Sequence, residues 1–110
     1  MKNALILGAV LGLGVLASGL IEDPVSVEAH RLVEGGARLV DVRTPQEFAS
    51  GHLEGAVNIP LDQLPNRLDE LDREGQVVVY CHSGNRSASA ARTLERAGFS
   101  VYDLGPKARW

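Results

Sequence analysis

Along this chain the apolar residues fall into three kinds of pattern. Ala4 to Ile21 is apolar throughout except for Ser18 and four glycines, and it shows no amphipathic face. A run of about 18 apolar residues lies between the core of a secretory signal peptide and a membrane-spanning helix of about 20. Residues 1-21 are therefore expected to be a signal peptide or a membrane anchor. Ala17 and Gly19 have the small-residue spacing of a cleavage site before Leu20; retention of residues 4-21 as an anchor is the other reading. Lys2 before the run and Glu22-Asp23 after it favour a cytoplasmic amino terminus, so the rest of the chain is expected outside the cytoplasm, periplasmic or secreted.

From Pro24 onward the pattern changes to short alternating elements. Ser26 can cap a helix whose apolar positions Val27, Ala29, Leu32 and Val33 recur at helical spacing until Gly35-Gly36 ends it. Arg38 to Val42 reads as a strand. Thr44, Pro45 and Glu47 then form a capping box with proline at the first helical position, which opens a brief helix to Ser50. Ala56 to Ile59 is a second strand, halted by Pro60. Leucines at 61, 64, 68 and 71 predict an amphipathic helix, with Pro65 a place for it to bend. Val77 to Tyr80 is an unbroken apolar run, as in strands buried on both faces of a parallel sheet. A helix from Ser87 to Ala97, closed by Gly98, and a last strand near Ser100 to Asp103 complete the chain.

Alternating strands and helices indicate an α/β domain over residues 25-110, with a small open parallel sheet of about five strands and helices on both faces. A domain this small buries only about 60% of the surface its unfolded chain exposes, so its active site must be shallow and built from loops. The net charge is −3, with acids and bases interspersed and no basic stripe, so nucleic acid is not an expected partner. Cys81 is the only cysteine, which rules out an intramolecular disulfide and a cysteine-rich metal site.

Open parallel sheets hold ligands at the carboxyl ends of their strands, and Cys81 directly follows the central one. The loop Cys81-His82-Ser83-Gly84-Asn85-Arg86 leads from that strand into the next helix. Amides of a tight turn feeding a helix amino terminus converge on an anion, and the helix dipole adds to their field. Gly84 permits the backbone dihedrals such a turn needs. A cysteine there should be held as thiolate, the nucleophilic form, and so be suited to covalent catalysis.

Three segments, Asp41 to Phe48, Gly51 to Pro60 and Tyr80 to Ser87, together resemble the single-domain rhodanese family in sequence and order. The resemblance implies a rhodanese-like fold and a thiosulfate sulfurtransferase. Cys81 would take a sulfane sulfur from a donor, thiosulfate or a persulfide, and pass it to cyanide or a thiol acceptor. His82, Ser83, Gly84, Asn85, Arg86 and Ser87 would bind the substrate, and Asp41 and Arg43 would support the loop. The resemblance implies no metal and no organic cofactor, and contact with a membrane only through the amino-terminal segment. A persulfide carrier or sulfide-sensing module with little turnover is the alternative function. Phosphatases sharing the fold have one more residue between cysteine and arginine; the four found here fit the sulfurtransferase ring.

Arg86 could either bind the donor's anionic end or pair with a carboxylate such as Asp41. His82 stands where members of the family carry arginine or lysine, so it offers the donor positive charge only in acid. His52 matches the family's glycine-histidine turn and is expected to be a hydrogen-bonded structural residue. His30 is expected on the polar face of the first helix, without a special role. Trp110 falls where the family has a tryptophan, and Gly105-Pro106 replaces its paired glycines.

Overall fold

A computed structural model describes residues 21–110. The expected signal peptide or anchor over residues 1-21 therefore lies outside the described residues, apart from Ile21. Among the described residues, no helix is long and apolar enough to cross a membrane.

The first helix, α1 (Pro24–Glu34), starts earlier than expected. Asp23 is its cap, accepting the Val25 N–H at 3.0 Å, because Pro24 occupies the first helical position, where no N–H is needed. The Ser26 hydroxyl instead donates to the Trp110 carbonyl. Strand β1 (Arg38–Asp41) leads into α2 (Pro45–Ala49), which carries the expected capping box: Thr44 Oγ1 accepts the Glu47 N–H, and Glu47 accepts the Thr44 N–H. Strand β2 is only Val57–Asn58.

Between β2 and β3 the expected helix is replaced by two 3-10 turns, Leu64–Asn66 and Leu68–Glu70. Pro65 has no N–H to continue a helix, and Arg67 leaves helical geometry at φ −126°, ψ 20°. The leucines still point inward: Leu64 and Leu71 are buried, and Leu61 and Leu68 pack against the same core. Strand β3 (Gln76–Cys81), helix α3 (Asn85–Arg96), strand β4 (Ser100–Pro106) and a final 3-10 turn, Lys107–Arg109, follow.

The four strands form one parallel sheet in the order β2-β1-β3-β4, close to the expected count of about five. β3 is central, and its alternation builds two cores. Val77, Val79 and Cys81 face α3 and the 3-10 turns, whereas Val78 and Tyr80 face α1 and Trp110. Both faces are thus covered.

At the carboxyl end of the sheet the β3–β4 register slips. Val79 pairs with Asp103 but Tyr80 pairs with Gly105, leaving Leu104 as an extra residue on β4. Gly105 takes φ +87°, a conformation open to glycine, and its N–H is capped by Asp103 Oδ1 at 2.9 Å. The bulge sets Pro106 opposite Cys81.

Candidate active site

Cys81 is the last residue of β3, and its side chain is fully buried between the sheet and α3. Its Sγ accepts two backbone N–H groups, from Gly84 at 2.9 Å and from Ser87 at 3.3 Å. Ser87 lies in the first turn of α3, where amides have no helical partner and so remain free to serve another acceptor. Gly84 caps that helix at φ +103°, a conformation that lets the chain double back within three residues of the cysteine. The Ser87 hydroxyl donates to the Gly84 carbonyl at 3.1 Å and closes the turn. Two N–H groups aimed at one sulfur match a negative charge there, the charge carried by a thiolate or by the outer sulfur of a persulfide. His82, Ser83 and Asn85 are exposed around the rim of this turn.

Arg86 is paired with Glu47, at 2.7 and 3.0 Å, and not with Asp41 as the sequence suggested. Asp41 is already occupied by Arg43, two residues along the chain. The Arg43 guanidinium and backbone N–H reach the Asp41 carboxylate at 2.6 to 3.0 Å, both residues are buried, and a further guanidinium N–H donates to the Gly51 carbonyl. The Arg86 guanidinium, aided by the Thr44 N–H, lowers the Glu47 carboxyl to about 2, so Glu47 is ionised wherever the protein is folded near neutrality. Glu47 in turn raises Arg86 further above its ordinary value.

Behind this layer, the Asn58 side-chain amide donates to the carbonyls of Asp41 and Arg43 at 2.9 and 3.0 Å, fixing the end of β1 against β2. The Tyr80 hydroxyl accepts the Leu53 N–H, its ring lies 5.7 Å below the Arg43 guanidinium, and burial pushes its phenol up. His52 Nδ1 donates to the Phe48 carbonyl at 2.9 Å, and the two rings stack at 3.7 Å. Beside Arg86 lies an open depression of about 280 Å³, lined by Val42, Arg43, Thr44, Pro60, Leu61, Asp62 and Arg86.

The sequence reading singles out the 81–87 loop, Asp41 and Arg43; the structure adds Glu47, paired with Arg86, and Asn58 and Tyr80, packed behind them. A signal existed for Asn58, a lone polar residue in an otherwise apolar strand. Glu47 reads in the sequence wholly as part of the capping box, which hides its second partner.

A family model described as the rhodanese-like domain matches residues 26–106. The thiosulfate sulfurtransferase GlpE of Pseudomonas aeruginosa is 41% identical over 78 residues, 70% of this chain and 71% of that protein. A Bacillus subtilis protein whose name proposes a sulfur carrier, YrkF, is 41% identical over 61 residues, and the match spans 56% of this chain but only 33% of YrkF. The crystal structure of reduced Bacillus anthracis CoADR-RHD matches with a TM-score of 0.71 and 32% identity over 90% of this chain and 18% of that one. In fold and in sequence over residues 26–106, the chain belongs to the rhodanese-like domain family.

Proposed function

We propose that this protein is a sulfurtransferase that carries sulfane sulfur on Cys81. The observation behind this reading is the pair of amides on Sγ, from Gly84 and Ser87, at the mouth of a parallel sheet. In the first step the Cys81 thiolate attacks the outer sulfur of thiosulfate, the S–S bond breaks, and sulfite leaves with the bonding pair. In the second, cyanide or a thiolate attacks the outer sulfur of the Cys81 persulfide and the cysteine thiolate departs, unchanged. Each step moves one sulfur between nucleophiles with no net redox change and with negative charge on sulfur throughout, which is what inward-facing amides stabilise.

The test is intact-mass analysis of the full chain after incubation with thiosulfate, next to Cys81→Ser. A gain of one sulfur atom, lost on adding cyanide with release of thiocyanate and absent in the variant, is the expected result. No gain from thiosulfate or from a persulfide would refute the transfer reading. The likeness to YrkF keeps a second reading in view, a persulfide carrier with little turnover. It predicts loading of Cys81 but no steady production of thiocyanate.

The apolar run before Glu22 supports an extracytoplasmic location, with residues 1-19 cleaved or residues 4-21 kept as an anchor. Mass spectrometry of the amino terminus of protein recovered from cell fractions distinguishes the two, and full-length chain in the cytoplasm would refute both.

A further inference from the structure

A doubly charged donor such as thiosulfate brings two ends to the site. The amides of Gly84 and Ser87 serve the sulfur; the oxyanion end needs a cation. Within the five residues that follow the carboxyl end of a strand, the described chain carries four permanent cations: Arg43, Arg86, Lys107 and Arg109. Three are already neutralised. Arg43 is held by buried Asp41, Arg86 by Glu47, and Arg109 by Asp23 at 2.6 Å. The other basic side chain of the loop, His82, is exposed and is not among these permanent cations. Lys107 enters none of the five ion pairs among the described residues.

The fold brings Lys107 close to the sulfur. The bulge at Leu104 and the positive φ of Gly105 set Pro106 opposite Cys81 in the sheet. A Cβ built on Gly84 would meet Pro106 Cδ at 3.6 Å, so the end of β4 lies directly against the active loop. Lys107 is the next residue. Its Cα lies no more than about 9 Å from that of Cys81, the sum of one strand spacing and one Cα–Cα step. The lysine's flexible four-carbon stem is long enough to span that separation to a small donor seated on the sulfur.

We propose that Lys107 binds the oxyanion end of the sulfur donor and so makes this site selective for donors of the thiosulfonate type, of which thiosulfate is the smallest, over simple persulfides. The proposal deepens the sulfurtransferase reading and rests on it. Lys107 supplies from the end of β4 the charge that the loop itself lacks. It acts on the donor's oxyanion and takes no part in the S–S exchange, so it contributes to the thiosulfate half-reaction alone.

The full chain and its Lys107→Ala, Lys107→Gln and Lys107→Arg variants should be compared with two donors, thiosulfate and 2-hydroxyethyl persulfide, which has no oxyanion. Loss of one charge-assisted contact predicts a KM for thiosulfate raised about tenfold in the alanine and glutamine variants, with kcat within about twofold and with Lys107→Arg largely restored. Loading of Cys81 from the persulfide should be unchanged in all three. A thiosulfate KM that stays at the parent value, or an equal loss with both donors, overturns the role of Lys107. Loading of the unaltered chain by the persulfide but not by thiosulfate overturns it too, while leaving sulfur transfer intact. Loading by neither donor removes the sulfurtransferase reading and this proposal together.

Discussion

Around the sulfur, the decisive choices are backbone choices. Cys81 is buried, and among the described residues its sulfur takes no hydrogen bond from a side chain; what addresses it are the N–H groups of Gly84 and Ser87. Gly84 at φ +103° lies outside the range that other L-residues adopt without strain. A methyl group there would touch Pro106 Cδ at 3.6 Å, an ordinary contact, so Gly84→Ala is costly through the backbone and not through crowding. That cost is about 1–2 kcal/mol, and the loop can relieve it only by rotating the Gly84 amide away from Sγ. Gly84→Ala should therefore form the Cys81 persulfide about tenfold or more slowly, since one of two charge-stabilising donors is lost. Time-resolved intact mass with thiosulfate reads this rate directly. An unchanged rate would mean that the Gly84 amide does not stabilise the reacting sulfur.

Between elements, Glu47 and Arg86 tie α2 to α3, and β1 and β3, the strands these helices follow, are neighbours in the sheet. Both side chains are about one-third exposed, so solvent screens the pair and its net worth is about 1 kcal/mol or less. Its pH dependence has a definite sign. The Glu47 carboxyl falls from 4.5 to about 2 on folding, so its contribution is fully present above pH 4.5 and disappears as pH drops towards 2. Glu47→Gln should lower the Tm at pH 7 by roughly 2–6 °C, and the gap should close between about pH 4.5 and 2. Calorimetry across that range checks it; a gap that stays constant with pH would show that the lost stability is not that of an ionised pair. The same scale explains what the sequence could and could not disclose. β3 was legible because a strand buried on both faces has no polar position to blur it, and the active loop was legible because its parts are contiguous. The Arg86–Glu47 pair was not, since it joins residues 39 apart through a strand order that no local pattern encodes. Nor was the 61–71 segment, where a leucine spacing of three, four and three satisfies both an α-helix and successive 3-10 turns; Pro65 and the break at Arg67 decide for the turns.

Across the whole molecule, the two ends of the described chain are fastened to each other. Asp23 accepts from Arg109 at 2.6 Å, while the Trp110 carbonyl accepts from Ser26 Oγ at 3.0 Å and from His30 Nε2 at 2.8 Å. His30, expected to have no special role, also stacks on the Trp110 ring at 3.5 Å. These contacts close the core between α1 and the sheet, where Ala29, Leu39, Val78, Tyr80 and Leu104 are buried, and they anchor the Lys107–Arg109 turn that follows the bulge of β4. A small domain has little stability to spare, so a fastening that joins its first helix to its last turn should be felt globally. His30→Ala removes one hydrogen bond and one ring stack, together about 1–2 kcal/mol. The urea midpoint should fall accordingly, with the slope unchanged if the native fold is kept. Trp110 is the only tryptophan in the chain, so its fluorescence reports this corner alone and should move to longer wavelength in the variant as water reaches the indole. The amides on Cys81 come from Gly84, the cap of α3, and from Ser87 in its first turn, which the substitution does not touch, so persulfide loading should persist in the folded variant. Equal urea midpoints with an unshifted emission would show that His30 merely lies beside the indole and that Asp23–Arg109 and Ser26 hold the two ends together without it.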